Sequence, residues 1–353
     1  MPGDYICLAD DAEKKDLFSS QDWFNNFIAT VVHEECLIVW VGCKSDSGEP
    51  LLLWPLFRSR EKFGAKKLDS LSNFYTTLWG PIHSGVSDIT LEESIRESVA
   101  AICALDWDYC DLSPLDPKME SYRYIVDAFR ANKNHVQPYF IYGNWLFNQP
   151  TVTDTFSEYY LQRPSRLKNT LKRKGNQLNR KHSVNYRVHQ EKGDVEKNID
   201  EFSRLYLLRR DIQEPHQQFI PGLVDMAEKN GWLRMGFLEV DDVMVSAQIW
   251  FVVGATAYIY KLCHDPKFDQ YSVGSLLTMH MMEHVLDRDQ VSKIDFLSGD
   301  DSYKKDWMNA REERWGLQIS NQSTPKGLYR AIKNGLLDLY KRLTAKHINR
   351  ENY

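Results

Sequence analysis

An alternating apolar run in the second half of the chain constrains the fold more than any other feature of the sequence. In Val243–Val253 every odd-numbered position is apolar, which is the period of a strand that lays one face on a core. Trp232–Val240 and Ala255–Leu262 are similar runs, separated from the first by two aspartates and by a glycine. Because short connections of turn-forming residues favour hairpins, the sequence predicts three consecutive antiparallel strands in this region.

A loop, a helix and a short strand follow these three strands. The helix begins near Gly274 and carries Leu277, Met281 and Val285 at steps of four, and the strand is Lys293–Leu297. A glycine at a helix start leaves backbone N–H groups at the positive end of the helix dipole, where they suit an anion such as a pyrophosphate. A plain cap or turn explains the same glycine more simply, so both interpretations stay open on local grounds.

Motifs on either side of that helix carry a family resemblance. Tyr271-Ser-Val-Gly274 precedes the body of the helix, and Asp295-Phe-Leu-Ser-Gly-Asp300 and Tyr303-Lys-Lys-Asp-Trp307 come with the last strand. With the residues around them, at about 160–320, they resemble the acyltransferase domain of the CelD-like proteins. These proteins belong to the GNAT superfamily and are close to the FemAB aminoacyltransferases. The loop before Gly274 lacks the dense glycine and arginine pattern of ordinary GNAT cofactor loops.

The first half of the chain repeats the element order of the second half. A hairpin, an aromatic strand, a loop, a helix and a short strand recur there, and Tyr109–Ser113 echoes Lys293–Ser298. The resemblance implies two GNAT-like domains, and a chance similarity of two α/β domains is the alternative. We therefore expect an α/β (α+β) fold of tandem GNAT-like domains, 1–150 and 151–353, each a mixed, mainly antiparallel sheet flanked by helices.

A basic connector, residues 159–190, lies between the two halves. It contains nine Lys and Arg residues and no Asp or Glu, and its sparse leucines predict a helix up to about Gly175. The connector is either a patch for a phosphate-rich ligand, such as a cofactor, a carrier-protein arm or tRNA, or a solvated basic helix that faces acids elsewhere. The basic residues are not interleaved with aromatic residues in the way that stacks bases, which makes tRNA the weaker candidate.

Acyl transfer from a thioester to an amine requires three kinds of group. A base must take a proton from the amine, an N–H donor must stabilise the oxyanion, and a proton donor such as a tyrosine must accommodate the leaving thiolate. The expected catalytic residues are Tyr303, Lys304, Asp265 and Asp300. The expected donor-binding residues are Val273, Gly274, Ser275 and Leu276, and the expected substrate-binding residues are Tyr260, Asp295 and Trp307. A helix cap is the alternative role for Asp300, and an Asx turn is the alternative for Asp265.

These residues and the resemblance define an expected function. We expect an N-acyltransferase, acetyltransferase-like, that uses acyl-coenzyme A or an acyl-carrier-protein thioester. A small molecule or a peptide would supply the amine, and an acyl carrier protein is a possible partner. The alternatives are a FemAB-like aminoacyltransferase that uses aminoacyl-tRNA, and a non-catalytic GNAT-like binding module in polysaccharide or envelope assembly. The atypical loop before Gly274 keeps the last alternative open.

Composition excludes other classes of protein. With 353 residues, 42% hydrophobic and 26% charged, and a net charge of −5, the chain is that of a globular protein with no overall bias toward nucleic acid. Six cysteines without CxxC spacing indicate reduced thiols and a cytoplasmic protein. His280 and His284 lack a third ligand, so no metal is expected, and no segment is expected to insert into a membrane. A last helix, about 326–346, carries an apolar stripe that should pack on the domain or on a partner subunit. The stripe comprises Leu328, Ile332, Leu336, Leu339 and Leu343.

Overall fold

The computed structural model describes residues 1–13, 16–60, 64–83, 85, 87–149, 155–189, 195–210 and 214–348. The chain forms two compact units: Met1–Ala12, His33–Tyr142 and Glu313–Tyr353 make up the first, and Glu13–Val32 and Gly143–Glu312 the second. These units differ from the two contiguous domains, 1–150 and 151–353, that the sequence predicts.

Two segments belong to the unit from which they are distant in sequence, and burial of their apolar side chains explains why. In the segment assigned to the second unit, Phe18 packs edge-on against Tyr258, and Trp23 and Phe27 pack edge-on against Phe219. In the segment that returns to the first unit, Leu317 and Ile319 belong to the core of that unit. Apolar burial of this kind outweighs continuity along the chain.

The first unit is built on strands in the order β1-β2-β3-β5-β12, with β4 beside β2. Neighbours are antiparallel except β3 and β5, which are parallel. The strands are β1 Leu37–Lys44, β2 Pro50–Arg60, β3 Lys66–Ser70, β4 Ile82–His83, β5 Tyr109–Leu115, β6 His135–Asn148 and β12 Ala310–Ser320, of which β6 and β12 each continue into the second unit. The helices are α1 Ile6–Glu13, α3 Asp88–Cys103, α4 Glu120–Ala131 and α10 Pro325–Ile348.

The second unit is built on strands in the order β6-β11-β10-β9-β8-β7. Only β10 and β11 pair in parallel among the pairs described in this unit. The strands are β7 Val184–His189, β8 Leu233–Val240, β9 Val243–Val253, β10 Thr256–His264 and β11 Lys293–Ser298. The helices are α2 Gln21–Thr30, α5 Phe156–Leu161, α6 Ser165–Asn179, α7 Val195–Arg210, α8 Phe219–Lys229 and α9 Val273–Asp287. The predicted fold class, mixed and mainly antiparallel sheets flanked by helices, is confirmed.

The three strands that the apolar run predicts are β8, β9 and β10, and their turns have the expected chemistry. Asp241 and Asp242 both have positive φ, 51° and 63°, as a two-residue hairpin turn requires, and Gly254 has φ 56°. Helix α9 packs across these strands. At Gly236 of β8 a β-carbon would collide with the side chain of Met281, so the missing side chain lets the helix approach closely. The strands and α9 are thereby fixed against each other.

None of the helices that the structure describes has the length and apolar composition needed to span a bilayer.

Candidate functional site

Strands β10 and β11 begin as neighbours and then separate. Thr256–Tyr258 pairs in parallel with Lys293–Asp295, and the pairing ends there. Just beyond, the register of β10 with β9 shifts between Ile259 and Lys261, which leaves Tyr260 as the extra residue of a β-bulge. The carboxyl ends of the two strands therefore diverge, and the elements that follow each strand begin at the same edge of the sheet.

Helix α9 begins beyond the end of β10 without a side-chain cap. A 3₁₀ turn, Pro266–Tyr271, leads to Ser272 in the left-handed conformation (φ 55°, ψ 43°). The Ser272 side chain makes no capping hydrogen bond within the part of the chain that the structure describes. The first intrahelical bond runs from Leu276 N to Ser272 O, 3.0 Å. Helix geometry therefore leaves the N–H groups of the preceding three residues, 273–275, available at the positive end of the dipole.

The four residues predicted to bind the donor occupy this first turn, but their side chains differ in exposure. Val273 and Leu276 are buried in the core, whereas Gly274 and Ser275 are partly exposed. A β-carbon at Gly274 would lie 3.2 Å from Nδ1 of His264, so glycine allows the imidazole and the helix start to meet. The amides of Gly274 and Ser275 are therefore the ones that a ligand can reach.

The basic helix α6 lies beside the start of α9. Lys174 donates a hydrogen bond to the carbonyl of Gln270 in the 3₁₀ turn, and a β-carbon at Gly175 would lie 3.5 Å from Cδ2 of Leu276. Helix α6 extends to Asn179, one turn beyond its predicted end. Its exposed cations include Lys172 and Arg173. The connector thus adds positive charge at the same place as the uncapped helix end.

Lys304 closes the chain reversal after β11. Leu297 and Gly299 adopt positive φ, 55° and 109°. The buried Lys304 ammonium donates to the carbonyls of Ser298, 2.6 Å, and Phe296, 3.2 Å. Burial lowers the pKa of Lys304, because removal from water disfavours the charged form. Lys304 therefore holds the shape of this corner.

Tyr303 lies on the surface of the same corner. Its side chain is 47% exposed, and its ring meets Phe296 edge-on with 5.7 Å between centroids. Partial burial of the hydroxyl raises the pKa of Tyr303 to about 12. The phenol is therefore protonated at neutral pH and can donate a hydrogen bond.

The chain after Tyr303 forms a 3₁₀ turn, Lys304–Asp306, that leads to Trp307. Trp307 is buried, and its carbonyl accepts from the Tyr159 hydroxyl, 2.7 Å, and Arg163 Nη1, 2.8 Å. The Trp307 side chain thus belongs to the core, and its backbone anchors the turn to α5 and the start of α6.

Two of the predicted catalytic carboxylates have local partners. Asp300 forms a bidentate pair with Arg311, with contacts of 2.6 to 3.2 Å, and accepts from Trp145 Nε1, 2.7 Å. The hydrogen bond from Arg311 lowers the pKa of Asp300, which weakens it as a base. Asp265 accepts from the backbone N–H of Lys267, 2.9 Å, which is the Asx turn considered as its alternative role.

Asp295 lies within a polar cluster where β10 and β11 begin to separate. It is buried, accepts from the Leu297 N–H, 2.8 Å, and accepts from Asn144, 3.3 Å. Across the strand pair, the buried Tyr258 hydroxyl donates to Asp16, 3.4 Å. Burial raises the pKa of Asp16 and holds the pKa of Tyr258 well above its ordinary value. The cluster therefore contains a carboxyl group with increased basicity.

Sequence patterns gave no indication of Asp16 or Asn144. Asp16 precedes Tyr258 by 242 positions and Asn144 precedes Asp295 by 151, and no local motif connects either pair. Only the addition of the early segment to the second unit and the placement of β6 beside β11 bring these side chains together. Covariation of these positions among homologous sequences could indicate the contacts, whereas a single sequence does not.

Tyr260 and Lys261 lie at the bulge of β10. The Tyr260 ring lies 5.2 Å from Phe251 and 6.3 Å from Trp23, between centroids. The next residue, Lys261, pairs with Glu214 at 2.5 Å, at the start of the connection into α8. The predicted substrate residue Tyr260 is thus set in an aromatic cluster beside a charged pair.

Among the described residues, no group of three or more His, Cys, Asp or Glu side chains is arranged to hold a metal ion.

Comparisons with known proteins agree with this geometry. Residues 165–305 match the family described as Acetyltransferase (GNAT) domain. The structure of FemX superposes with a TM-score of 0.64 at 11% identity, covering 91% of this chain and 97% of FemX. The C-terminal domain of an Agrobacterium fabrum protein provisionally named a lysylphosphatidylglycerol synthetase gives 0.57 at 12% identity, covering 94% and 96%. A Bacteroides thetaiotaomicron protein of unknown function gives 0.53 at 11% identity, covering 85% and 89%.

Identities this low establish a shared fold and nothing further. No curated protein matches the sequence. The resemblance to the GNAT superfamily read from the motifs is nevertheless confirmed by the domain match, which spans α6 through β11 and the Tyr303–Lys304 corner. Residues 165–305 therefore match a GNAT acetyltransferase domain, and the chain shares the fold of FemX.

Proposed function

We propose that this protein is an N-acyltransferase that moves an acyl group from a coenzyme A or acyl-carrier-protein thioester to an amine by direct attack. The observation that carries the proposal is the uncapped start of α9, placed at the end of β10 and beside the basic helix α6. Exposed amides at the positive end of a helix, with lysines nearby, are the chemistry that binds a pyrophosphate. The residues present therefore fit a phosphorylated thioester.

In this proposal the amides of Gly274 and Ser275 hold the donor phosphates, and Lys172 and Arg173 supply counter-charge. The reacting carbonyl lies where β10 and β11 separate, so that a backbone N–H near the Tyr260 bulge stabilises the oxyanion. Holding the donor and the acceptor together at this point accelerates the reaction, because both are already oriented for attack.

Residues of the polar cluster and the corner handle the protons. Asp16, whose pKa burial raises, takes the proton from the attacking amine. Tyr258 donates a hydrogen bond that positions Asp16, and Asp295 lies beside Tyr258 across the strand pair. Tyr303 donates a hydrogen bond to the leaving thiolate, which a phenol with a pKa of about 12 does without losing its own proton. Lys304 is a positioning residue, because its ammonium already donates hydrogen bonds to two carbonyls of the chain reversal next to Tyr303.

The acceptor amine approaches along the wall formed by Tyr260, Lys261 and Glu214. A charged pair beside aromatic rings suits a polar small molecule or a peptide with an apolar portion. We also propose a cytoplasmic location, because thioester donors and six unpaired thiols both suit a reducing compartment.

A FemAB-like aminoacyl transfer from tRNA is the second candidate, favoured by the exposed cations of α6 and by the structural likeness to FemX. The two donors share phosphate chemistry and differ in size. A long nucleic acid would engage more cations than a coenzyme, so its binding would fall more steeply with salt.

Ligand-induced stabilisation separates these candidates. The melting temperature is measured with coenzyme A, acetyl-coenzyme A and aminoacyl-tRNA, because a ligand that binds only the folded state stabilises it by about 2.7 kcal/mol at 100 times its dissociation constant. The proposal expects a shift with the thioester that Lys172→Glu reduces and Lys118→Glu, at an exposed lysine of the first unit, leaves unchanged. A shift with tRNA alone would favour aminoacyl transfer. Stability unaffected by all three would favour a non-catalytic binding module.

A further inference from the structure

The outward face of α10 is an apolar stripe exposed on the first unit. Leu328, Tyr329, Ile332 and Leu336 are 44%, 70%, 56% and 62% exposed. Steps of three and four residues place these side chains on one side of a helix. Large apolar side chains that cluster on a surface mark an interaction site more often than isolated ones do.

The opposite face of α10 docks on the first unit and fixes the direction of the stripe. A β-carbon at Gly327 would collide with backbone carbonyls of that unit, so the helix lies directly on the chain there. Ala331 is buried, Arg330 stacks on the Tyr109 ring at 3.8 Å, and Asn334 bonds to Gln318 at 3.4 Å. Because these contacts use one side of the helix, the apolar stripe points away from the unit.

Of the two expected partners of the stripe, its own domain or a partner subunit, this orientation excludes the first for the described residues. Leu328, Ile332 and Leu336 do not pack there, because Gly327 and Ala331 provide the closer approach. The side chains of Leu339 and Leu343, the other two members of the predicted stripe, lie outside the described residues. An unpacked stripe requires another partner.

Charge favours one occupant of this face. Lys326 and Lys333 are exposed beside the stripe. In sequence, α10 contains six Lys and Arg residues and one Asp, in a chain whose net charge is −5. Two copies of such a helix would repel each other, which argues against self-association through this face. An anionic lipid surface complements both the lysines and the leucines, as it does for amphipathic helices that lie in a membrane interface.

We propose that α10 binds the surface of anionic membranes, with its apolar stripe in the headgroup region and its lysines on lipid phosphates. This is adsorption of a helix parallel to the surface and not insertion of that helix across the bilayer. The role is independent of the acyl-transfer chemistry and uses residues outside the candidate site.

Vesicle flotation tests the proposal on the full chain. The protein is expected to float with vesicles of equimolar phosphatidylcholine and phosphatidylglycerol and to stay behind with phosphatidylcholine alone. Ile332→Glu should weaken binding by about tenfold or more, since it places a charge in the apolar interface. Ile89→Glu, at an exposed isoleucine of α3, is the matched control and should bind as the wild type does. Lys333→Glu and added salt should also weaken binding, because both reduce attraction to the lipid charge.

Three outcomes would overturn the proposal. They are no flotation of the wild-type protein, equal flotation with neutral and anionic vesicles, and equal binding by wild type and Ile332→Glu. Sedimentation velocity without lipid provides the second readout: a dimer that Ile332→Glu converts to a monomer would make a second copy the occupant. Ile332 is largely exposed, so this substitution should leave the melting temperature of the free protein nearly unchanged.

Discussion

Replacing Gly274 by aspartate should weaken donor binding without destabilising the folded protein. In the free protein a carboxylate in the first turn of α9 interacts favourably with the helix dipole, worth about 0.3–1 kcal/mol. Aspartate is also a better helix residue than glycine by a few tenths of a kcal/mol. The new β-carbon would press on His264 at 3.2 Å, which offsets part of the gain. The variant should therefore be as stable as the wild type or slightly more stable.

Donor affinity should change in the opposite direction. A carboxylate about 4 Å from a donor phosphate is repelled by it, with an energy of about 1 kcal/mol at the dielectric constant of water and about 4 kcal/mol at an effective dielectric constant of 20. Since about 1.4 kcal/mol is a factor of ten, the dissociation constant for the thioester should rise by about fivefold to about 700-fold. Isothermal titration calorimetry with acetyl-coenzyme A measures it. Gly274→Ala adds the β-carbon without the charge and should lose much less affinity.

The reasoning fails if Gly274→Asp binds the thioester as tightly as the wild type does. It also fails if the aspartate and alanine variants lose affinity equally, because crowding at His264 rather than charge would then explain the loss.

Three more predictions concern the corner and the polar cluster. Tyr303→Phe should lower turnover about tenfold or more with little change in unfolding free energy, whereas Tyr329→Phe, at another exposed tyrosine, should leave turnover unchanged. Lys304→Met should lower the unfolding free energy by about 1–3 kcal/mol in urea titrations, because two carbonyls lose their donor. Because burial lowers the folded-state pKa of Lys304, the unfolded chain binds more protons than the folded chain just below pH ~10.4. The unfolding free energy of the wild type relative to Lys304→Met should therefore rise with pH in that range. A fall with pH would contradict the burial of the Lys304 ammonium. Asp295→Asn should reduce turnover more than Asp300→Asn, because Asp300 belongs to an exposed ion pair with Arg311, and equal losses of turnover in the two variants would contradict the proposed roles.

The strands and the main helix of the second unit were predictable from sequence because their signals are local. Alternation in Val243–Val253 and the two aspartates after Val240 reflect the pleat of a strand and the backbone geometry of a hairpin turn. The four-residue steps on α9 likewise follow from helix geometry. The family motifs added the GNAT fold, which periodicity alone does not specify.

The arrangement of the site depends on contacts between distant residues, which one sequence does not show. The addition of the Asp16 segment to the second unit and the burial of Lys304 are set by tertiary packing. In the structure Lys304 and Trp307 also shape the turn beside Tyr303, which the sequence does not indicate. The roles of Tyr303, Lys304, Asp265 and Asp300 in catalysis and of residues 273–276 in donor binding stay predictions. The roles of Tyr260, Asp295 and Trp307 in substrate binding stay predictions as well.

Amide resonances of the isotope-labelled protein test the central claim most directly. On titration with coenzyme A, the backbone N–H signals of Gly274 and Ser275 should shift progressively and saturate, because phosphate oxygens replace water at these two donors. Signals of the exposed amides around Ile89 in the first unit should remain in place. If coenzyme A binds and leaves Gly274 and Ser275 unmoved, or if it does not bind, the start of α9 is not a donor site and the proposed acyl transfer from a coenzyme A thioester is contradicted.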